Sequence, residues 1–180
     1  MAVAQDYSFG PFVDEHYALL CYVLALRPGG TALEFGVGSG GSMRLIAKHM
    51  PVIGFDSFEG LPEDWREGFD AGHFACAVPA DIDAENLRVG LFADTLPAFE
   101  WPKSIGLVHI DCDLYSSTAT VLKYLGPHLR RGCYVVFDEF HGFDGAEHHE
   151  QRAWREFAAD TGIHWSVVGH SEQQWGIRIA

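Results

Sequence analysis

The sequence predicts a three-layer α/β/α sandwich around a mostly parallel sheet, and three observations carry that expectation. A short apolar run, Ala32-Leu33-Glu34-Phe35, enters the glycine-rich turn Gly36-Val37-Gly38-Ser39-Gly40-Gly41, and a helical pattern follows at Met43, Leu45, Ile46, Ala47 and Met50. Strand, tight turn and helix in that order open nucleotide-binding α/β folds. Two later runs, 105–110 and 132–137, are apolar almost without a break, as strands buried on both faces must be. Both end in acids, Asp111 and Asp113 after the first, Asp138 and Glu139 after the second.

The elements follow in order. A first helix is expected over 11–27, opened by Pro11, with Phe12, His16, Tyr17, Leu19, Leu20, Val23 and Leu24 on a broad apolar face. Arg27-Pro28-Gly29-Gly30 stops it. Strand one covers 31–35, a crossover helix runs from Gly41 to His49, and Val52-Ile53-Gly54-Phe55 is a second strand ending in Asp56. Residues 57–86 are broken by Gly60, Pro62, Gly68, Gly72 and Pro79, and a loop this long in a compact domain is functional or mobile. Trp65 and Phe69 within it either line a pocket or pin the loop to the body. Residues 87–93 read as the next strand, with Asp94-Thr95-Leu96-Pro97 at its C-terminal end. Ser116-Ser117-Thr118 is expected to cap a helix reaching Leu125. A further helix over 146–159 carries Ala153, Trp154, Phe157 and Ala158 on its core face, and 163–168 with 174–179 close the chain as an antiparallel pair.

The length of 180 residues fits one domain, 1–180, with a short N-terminal helix. A net charge of −13 excludes a nucleic-acid or anionic-membrane surface, which needs a basic footprint. The four cysteines lack C-x-x-C spacing and read as free, buried thiols in a reducing compartment. The first ten residues have no basic signal-peptide region and no apolar run is long enough to span a membrane, so a cytoplasmic protein is expected.

The chemistry starts at the glycine turn. Gly36, Gly38 and Gly41 satisfy the dinucleotide pattern G-x-G-x-x-G, and the helix start at Ser42 offers N–H groups to an anion. Glu34, at the end of its strand, is expected to face the ligand, where it would repel a pyrophosphate and attract an ammonium and a sulfonium. S-adenosylmethionine carries both. Asp56 lies twenty positions after Gly36, where an acid takes the ribose hydroxyls in such units, and Asp94 is expected near the adenine. Asp111, Asp113, Asp138 and Glu139 end two strands about 4.8 Å apart if these are neighbours. Carboxylates so close repel unless a cation joins them, and hard oxygen donors suit Mg²⁺. The competing reading leaves Asp113 and Glu139 solvated and Asp111 and Asp138 as loop caps. His141 is placed to shuttle a proton in the same cavity, whereas Glu147, His148, His149 and Glu150 lack metal-ligand spacing and read as a solvated helix face. An NAD(P)-dependent oxidoreductase fits the glycines and Asp56 but not the acids. A Mg²⁺-dependent hydrolase leaves the glycine turn idle, and a non-catalytic cofactor-binding domain is the third alternative.

Five stretches in order, 34–38 with 41–43, 55–62, 94–97, 111–118 and 137–140, resemble class I S-adenosylmethionine-dependent methyltransferases, and more narrowly the macrocin O-methyltransferase family. The resemblance implies a seven-stranded Rossmann-like sheet with an antiparallel C-terminal strand. It implies methyl transfer from S-adenosylmethionine to a hydroxyl of a natural-product or sugar-like small molecule, commonly with Mg²⁺. The cofactor would be held by Glu34, Gly36, Gly38, Ser42, Asp56, Ser57, Asp94, Thr95 and Asp111. The metal would be held by Asp111, Asp138 and Glu139, with Asp113 as general base and His141 as its alternative. Glu139 stands where the family usually has aspartate, one methylene shorter, and the N-terminal region is shorter than is typical. The assembly is left open, a homodimer being one possible form.

Overall fold

The computed structural model describes residues 17–180. Seven strands, β1 (Thr31–Phe35), β2 (Val52–Asp56), β3 (Leu87–Val89), β4 (Ile105–Ile110), β5 (Tyr134–Phe137), β6 (Trp165–His170) and β7 (Trp175–Ile179), form one sheet in the order β3-β2-β1-β4-β5-β7-β6. The pairings from β3 to β5 are all parallel, and β7 is antiparallel to both β5 and β6. From β1 the chain steps outward through β2 to β3, then returns to lay β4 on the other side of β1. The order therefore reverses between β1 and β4, and ligands bind beyond the carboxyl ends of the strands at such a point.

Strand alternation decides which side chain enters which layer. Leu33, Phe35, Val108, Ile110, Val135 and Phe137 share one core with Val121, Leu122, Ala153 and Trp154 of the helices α4 (Tyr115–Leu125) and α5 (Glu150–Thr161). Ala32, Leu107 and Val136 point the other way, against Leu19, Leu20, Val23 and Leu24 of α1 (Ala18–Ala25) and Met43 and Ile46 of α2 (Gly41–Ala47). Trp154 is fully buried, 5.5 Å from the ring of Phe137 and 5.8 Å from that of Trp165. Pro11, Phe12 and His16 of the expected first helix lie outside the described residues.

The structure departs from the sequence expectations at four places. The strand expected over 87–93 is only three residues long, because the chain turns at Gly90 into a short helix, α3 (Phe92–Thr95), that carries Asp94 and Thr95. The Ser116-Ser117-Thr118 cluster lies inside α4 and caps nothing: the N-cap is Leu114, and Thr118 donates to its carbonyl at 2.9 Å. The helix expected from Ala146 is one short turn followed by a break at His149, after which α5 begins. Of the four free thiols, Cys112 and Cys133 are buried, whereas Cys21 is exposed.

The loop of residues 57–86 is pinned. Leu61 and Trp65 pack with Leu114, flanked by Phe69 and Phe143, and the Arg66 guanidinium lies 4.0 Å from the Trp65 ring centre and 4.4 Å from that of Phe143. Ser116 donates to Glu63 at 2.5 Å, and Arg44 grips Asp81 through two bonds of 2.6 Å. Among the described residues no helix is long and apolar enough to cross a membrane.

Trp154 joins α5 to the sheet through its rings. Trp154→Ala is expected to cost about 3–5 kcal/mol in urea unfolding, and a loss under about 1 kcal/mol would show that this core closes without it.

Candidate active site

A cavity of about 470 Å³ opens beyond the carboxyl ends of β1, β4 and β5. The glycine turn with Gly41 and Ser42 forms one wall, and Asp56, Ser57 and the segment Gly90–Ala93 form the next. Asp111, Cys112, Asp113, Asp138 and Glu139 form the far end, with Ser116, Ser117 and Thr120 of α4. Tyr17 closes it from the start of α1, and Leu61, Pro62 and the half-exposed Phe74 come from the long loop.

The sheet ladder builds the turn. Gly36 N–H bonds the Phe55 carbonyl at 2.9 Å, and at its φ of +92° a Cβ would sit 1.6 Å from the Asp111 carbonyl oxygen. Glycine is needed there by the neighbouring strand. At Gly41 a Cβ would meet only the tip of the Tyr17 side chain, its hydroxyl at 2.5 Å, a contact that side chain can yield. Asp56 braces the turn: Oδ2 accepts from the Val37 and Gly38 amides at 2.8 and 2.7 Å, and Oδ1 accepts from Phe58 at 2.7 Å. A carboxylate has about four acceptor sites, so capacity remains on Oδ1 at the cavity wall.

Glu34 does not face the cavity. It is fully buried, the parallel ladder sets it opposite His109, and its Oε1 bonds the His109 Nδ1 at 2.9 Å. The expectation that its charge selects the ligand is therefore corrected. His109 is equally buried, with Nε2 3.8 Å from the Asp138 carboxylate. Burial alone would lower its pKa, but Asp138 and Glu34 outweigh this and hold the imidazole well above its ordinary value. Asp138 also accepts from the Gln174 side chain.

The acids gather in two overlapping groups that share Asp111. Ligand atoms of His109, Asp111 and Asp138 lie within 4.8 Å of one another, and so do those of Asp111, Asp113 and Glu139. Burial, then the nearby Asp138, raises the Asp111 carboxyl well above the usual range. The same causes push Asp113 up to about 6 and, with Asp111 and Asp113 adding, Glu139 up to about 12. Asp113 has a φ of +60°, and the Leu114 amide bonds back to the Cys112 carbonyl at 2.5 Å. A hydrogen bond from residue i+2 across a central positive φ is the strained form of γ-turn.

Glu150, expected to be solvated, is fully buried. The break at His149 turns the first residue of α5 inward, where Oε1 accepts from Cys112 N–H at 3.4 Å and Oε2 from Glu139 N–H at 3.3 Å. Burial, then Asp113, Asp111 and Asp138, raises its pKa well above normal. Its neighbours Glu147 and His148 are indeed exposed.

His141 and Asp94 also stand elsewhere than expected. His141 Nε2 lies 3.2 Å from the Gln174 carbonyl and its ring packs on Trp175, away from the cavity wall. Asp94 and Thr95, carried round by α3, face a separate shallow hollow with Val89, Phe99 and Glu100, and Gly90–Ala93 line the cavity in their place. Tyr17 was not singled out by its sequence. Burial, then Asp111 and Asp138, raises its phenol. His109 was not singled out either; the one local signal for it is a lone polar residue within an otherwise apolar strand.

A glycine turn braced by an acid, at the switch point of a 3-2-1-4-5-7-6 sheet, defines a Rossmann-like ligand-binding domain. The sequence pattern of the macrocin-O-methyltransferase (TylF) family matches residues 79–169, and the chain belongs to that family. A Streptomyces olivaceus relative, 8-demethyl-8-(2,3-dimethoxy-alpha-L-rhamnosyl)-tetracenomycin-C 4'-O-methyltransferase, is 32% identical over 148 residues, 66% of this chain. The chain spans 56% of that relative's length. The O-methyltransferase NovP superposes with a TM-score of 0.66 at 26% identity, covering 87% of this chain and 74% of NovP. The calicheamicin methyltransferase CalS11 gives 0.64 at 23% identity, covering 91% and 76%.

Two outcomes are expected. Glu34→Ala leaves a buried imidazole without its partner and should cost about 3–5 kcal/mol; a stable variant with altered ligand choice would return Glu34 to the cavity. Asp113 binds its proton more tightly folded than unfolded, so its stabilising contribution is complete below about 3.8 and is lost as pH rises through about 6. Metal-stripped protein should therefore melt lower at pH 7 than at pH 5, with a flatter profile in Asp113→Asn.

Proposed function

We propose that the chain is an S-adenosylmethionine-dependent O-methyltransferase acting on a hydroxyl of a small sugar-bearing or natural-product molecule, assisted by a divalent cation such as Mg²⁺. One observation carries this reading: the braced glycine turn and the acids Asp111, Asp113, Asp138 and Glu139 wall the same cavity. Family membership supports the transfer chemistry, and the name of the Streptomyces olivaceus relative supports a glycosylated acceptor.

The cofactor half suits a nucleoside without a pyrophosphate. Asp56 offers its remaining acceptor site to a ribose hydroxyl, and Leu91 and Phe92 supply an apolar wall for a purine. The acids across the cavity would repel phosphates. Arg44, the first cation after the glycine turn, is taken up by Asp81.

The acid half suits a hard cation. Among the described residues, only His109 and Arg66 oppose the mutual repulsion of these carboxyls with positive charge. Asp111 would be the central ligand of the ion, with Asp138 on one side and Glu139 on the other, because the donor atoms of these three acids fall in two groups that share Asp111 and not in one. Oxygen donors favour Mg²⁺ or Mn²⁺ over softer metals. A bound cation would supply Lewis acidity that lowers the pKa of an acceptor hydroxyl. Asp113, held at the cavity by its γ-turn with its carboxyl raised to about 6 by burial and then by Asp138, is the group placed to accept the hydroxyl proton. What remains is to hold the hydroxyl in line with the donor methyl, a positioning task.

Calorimetry with S-adenosylhomocysteine and NADH, followed by turnover on a rhamnosyl acceptor, tests the reading. S-adenosylhomocysteine should bind and NADH should not, and Asp56→Ala should weaken binding by about 1.5–3 kcal/mol. EDTA and Asp138→Asn should abolish turnover while leaving S-adenosylhomocysteine binding within about twofold, since the acids face the acceptor. A preference for NADH overturns the cofactor assignment, and full turnover in excess EDTA overturns the cation.

A further inference from the structure

We infer that Glu150 is a positioning residue that pins the two loop starts presenting the acids, through the Cys112 and Glu139 amides. The inference deepens the cation-assisted reading above and rests on it for its functional consequence, though not for its geometry.

The parallel ladder does not stop at the strand ends. Asp111 N–H bonds the Phe35 carbonyl at 2.8 Å, and Asp138 N–H bonds the Ile110 carbonyl at 2.9 Å. One residue further on, neither Cys112 nor Glu139 has a strand carbonyl to meet. Both amides turn instead to the two oxygens of Glu150, at 3.4 and 3.3 Å. One carboxylate thus replaces the next rung of the ladder between two strands that are about to diverge.

What it holds needs holding. The Cys112 amide starts the strained turn at whose centre Asp113 sits with a φ of +60°, and such a conformation persists only where its surroundings fix it. The Glu139 amide fixes the backbone from which the longer acid reaches toward Asp111. Glu150 is fully buried, close enough to Asp111, Asp113 and Asp138 for each to raise its pKa. A helix start favours an acid for its dipole alone, but that role asks for neither burial nor two amides from other elements. Length matters too. Aspartate keeps the charge but is one methylene short of spanning both amides, while glutamine keeps the length but offers one acceptor oxygen and turns an NH₂ toward the other amide.

The experiment compares wild type, Glu150→Asp and Glu150→Gln in the full chain. Residue-resolved amide exchange is read by NMR, Mn²⁺ affinity by EPR titration and S-adenosylhomocysteine affinity by calorimetry. Both variants should exchange the Cys112 and Glu139 amides at least about tenfold faster and bind Mn²⁺ about 10–100-fold more weakly, the usual cost of losing an outer support. S-adenosylhomocysteine binding should stay within about twofold, because the glycine turn is braced by Asp56. Unchanged exchange at both amides overturns the inference. So does Mn²⁺ affinity retained in Glu150→Asp but lost in Glu150→Gln, which would make Glu150 a charge and not a clamp. If wild type binds no Mn²⁺ the cation reading fails, and the exchange rates alone then decide for or against Glu150.

Discussion

Like charges crowded at the carboxyl ends of β4 and β5 are the constraint on which the rest of this structure depends. Asp111, Asp113, Asp138 and Glu139 meet at the far end of the cavity with Glu150 buried behind them, and burial first, then mutual repulsion, raises the carboxyls described above. Such an arrangement survives folding only if the backbone is held from several sides and part of the charge is answered. The main-chain ladder holds Asp111 and Asp138, the two strained or diverging loops lean on Glu150, and Gln174 holds Asp138 from the β7 side.

Positive charge comes from two directions. Below the acids, His109 links Asp138 to Glu34, so a buried imidazolium sits between carboxylates at the level where β1 and β4 pair. On the long loop, Arg66 is kept in place by the faces of Trp65 and Phe143, and its charge lowers Asp113. An aromatic cage fixes a guanidinium without spending its charge on a carboxylate partner. His109 and Arg66 answer only part of the burial and repulsion that raise these carboxyls, and a divalent ion would let more of them ionise together.

The sheet was legible because its signal is local. Continuous apolar runs at β4 and β5 mark strands buried on both faces, and the glycine turn after β1 fixes where the first crossover starts. Asp56, Asp111, Asp113, Asp138 and Glu139 were legible too, since strand ends in this topology share one edge. What was not legible depends on registers and breaks. Glu34 stands level with His109 only because β1 and β4 pair in one particular register, and sequence spacing places Glu34 at a strand end without saying which face it takes. Glu150 is buried because one residue, His149, leaves the helical conformation and rotates everything after it. Asp94 leaves the cavity because β3 ends at Val89 and not four residues later. Tyr17 joins the site through the docking of α1, a tertiary contact without a local pattern.

The long loop joins the two halves of the cavity, which the sheet alone leaves independent. Its far end is tied to the cofactor side: Asp81 takes two bonds from Arg44, and the same guanidinium donates to the Ser39 carbonyl of the glycine turn at 2.8 Å. Its near end is tied to the acid side: Trp65 and Leu61 pack on Leu114, the residue after Asp113, and Glu63 bonds Ser116 of α4. Between the ties, Phe74 stands half-exposed at the cavity mouth. An exposed ion pair is weak by itself, whereas the Leu61–Trp65–Leu114 cluster buries apolar surface and is the firmer anchor. The ion pair is not the far end's whole support, because Cys76 and Ile82 pack against the cluster of Val37, Met43 and Phe58, so apolar contact anchors the loop on both sides of the cavity.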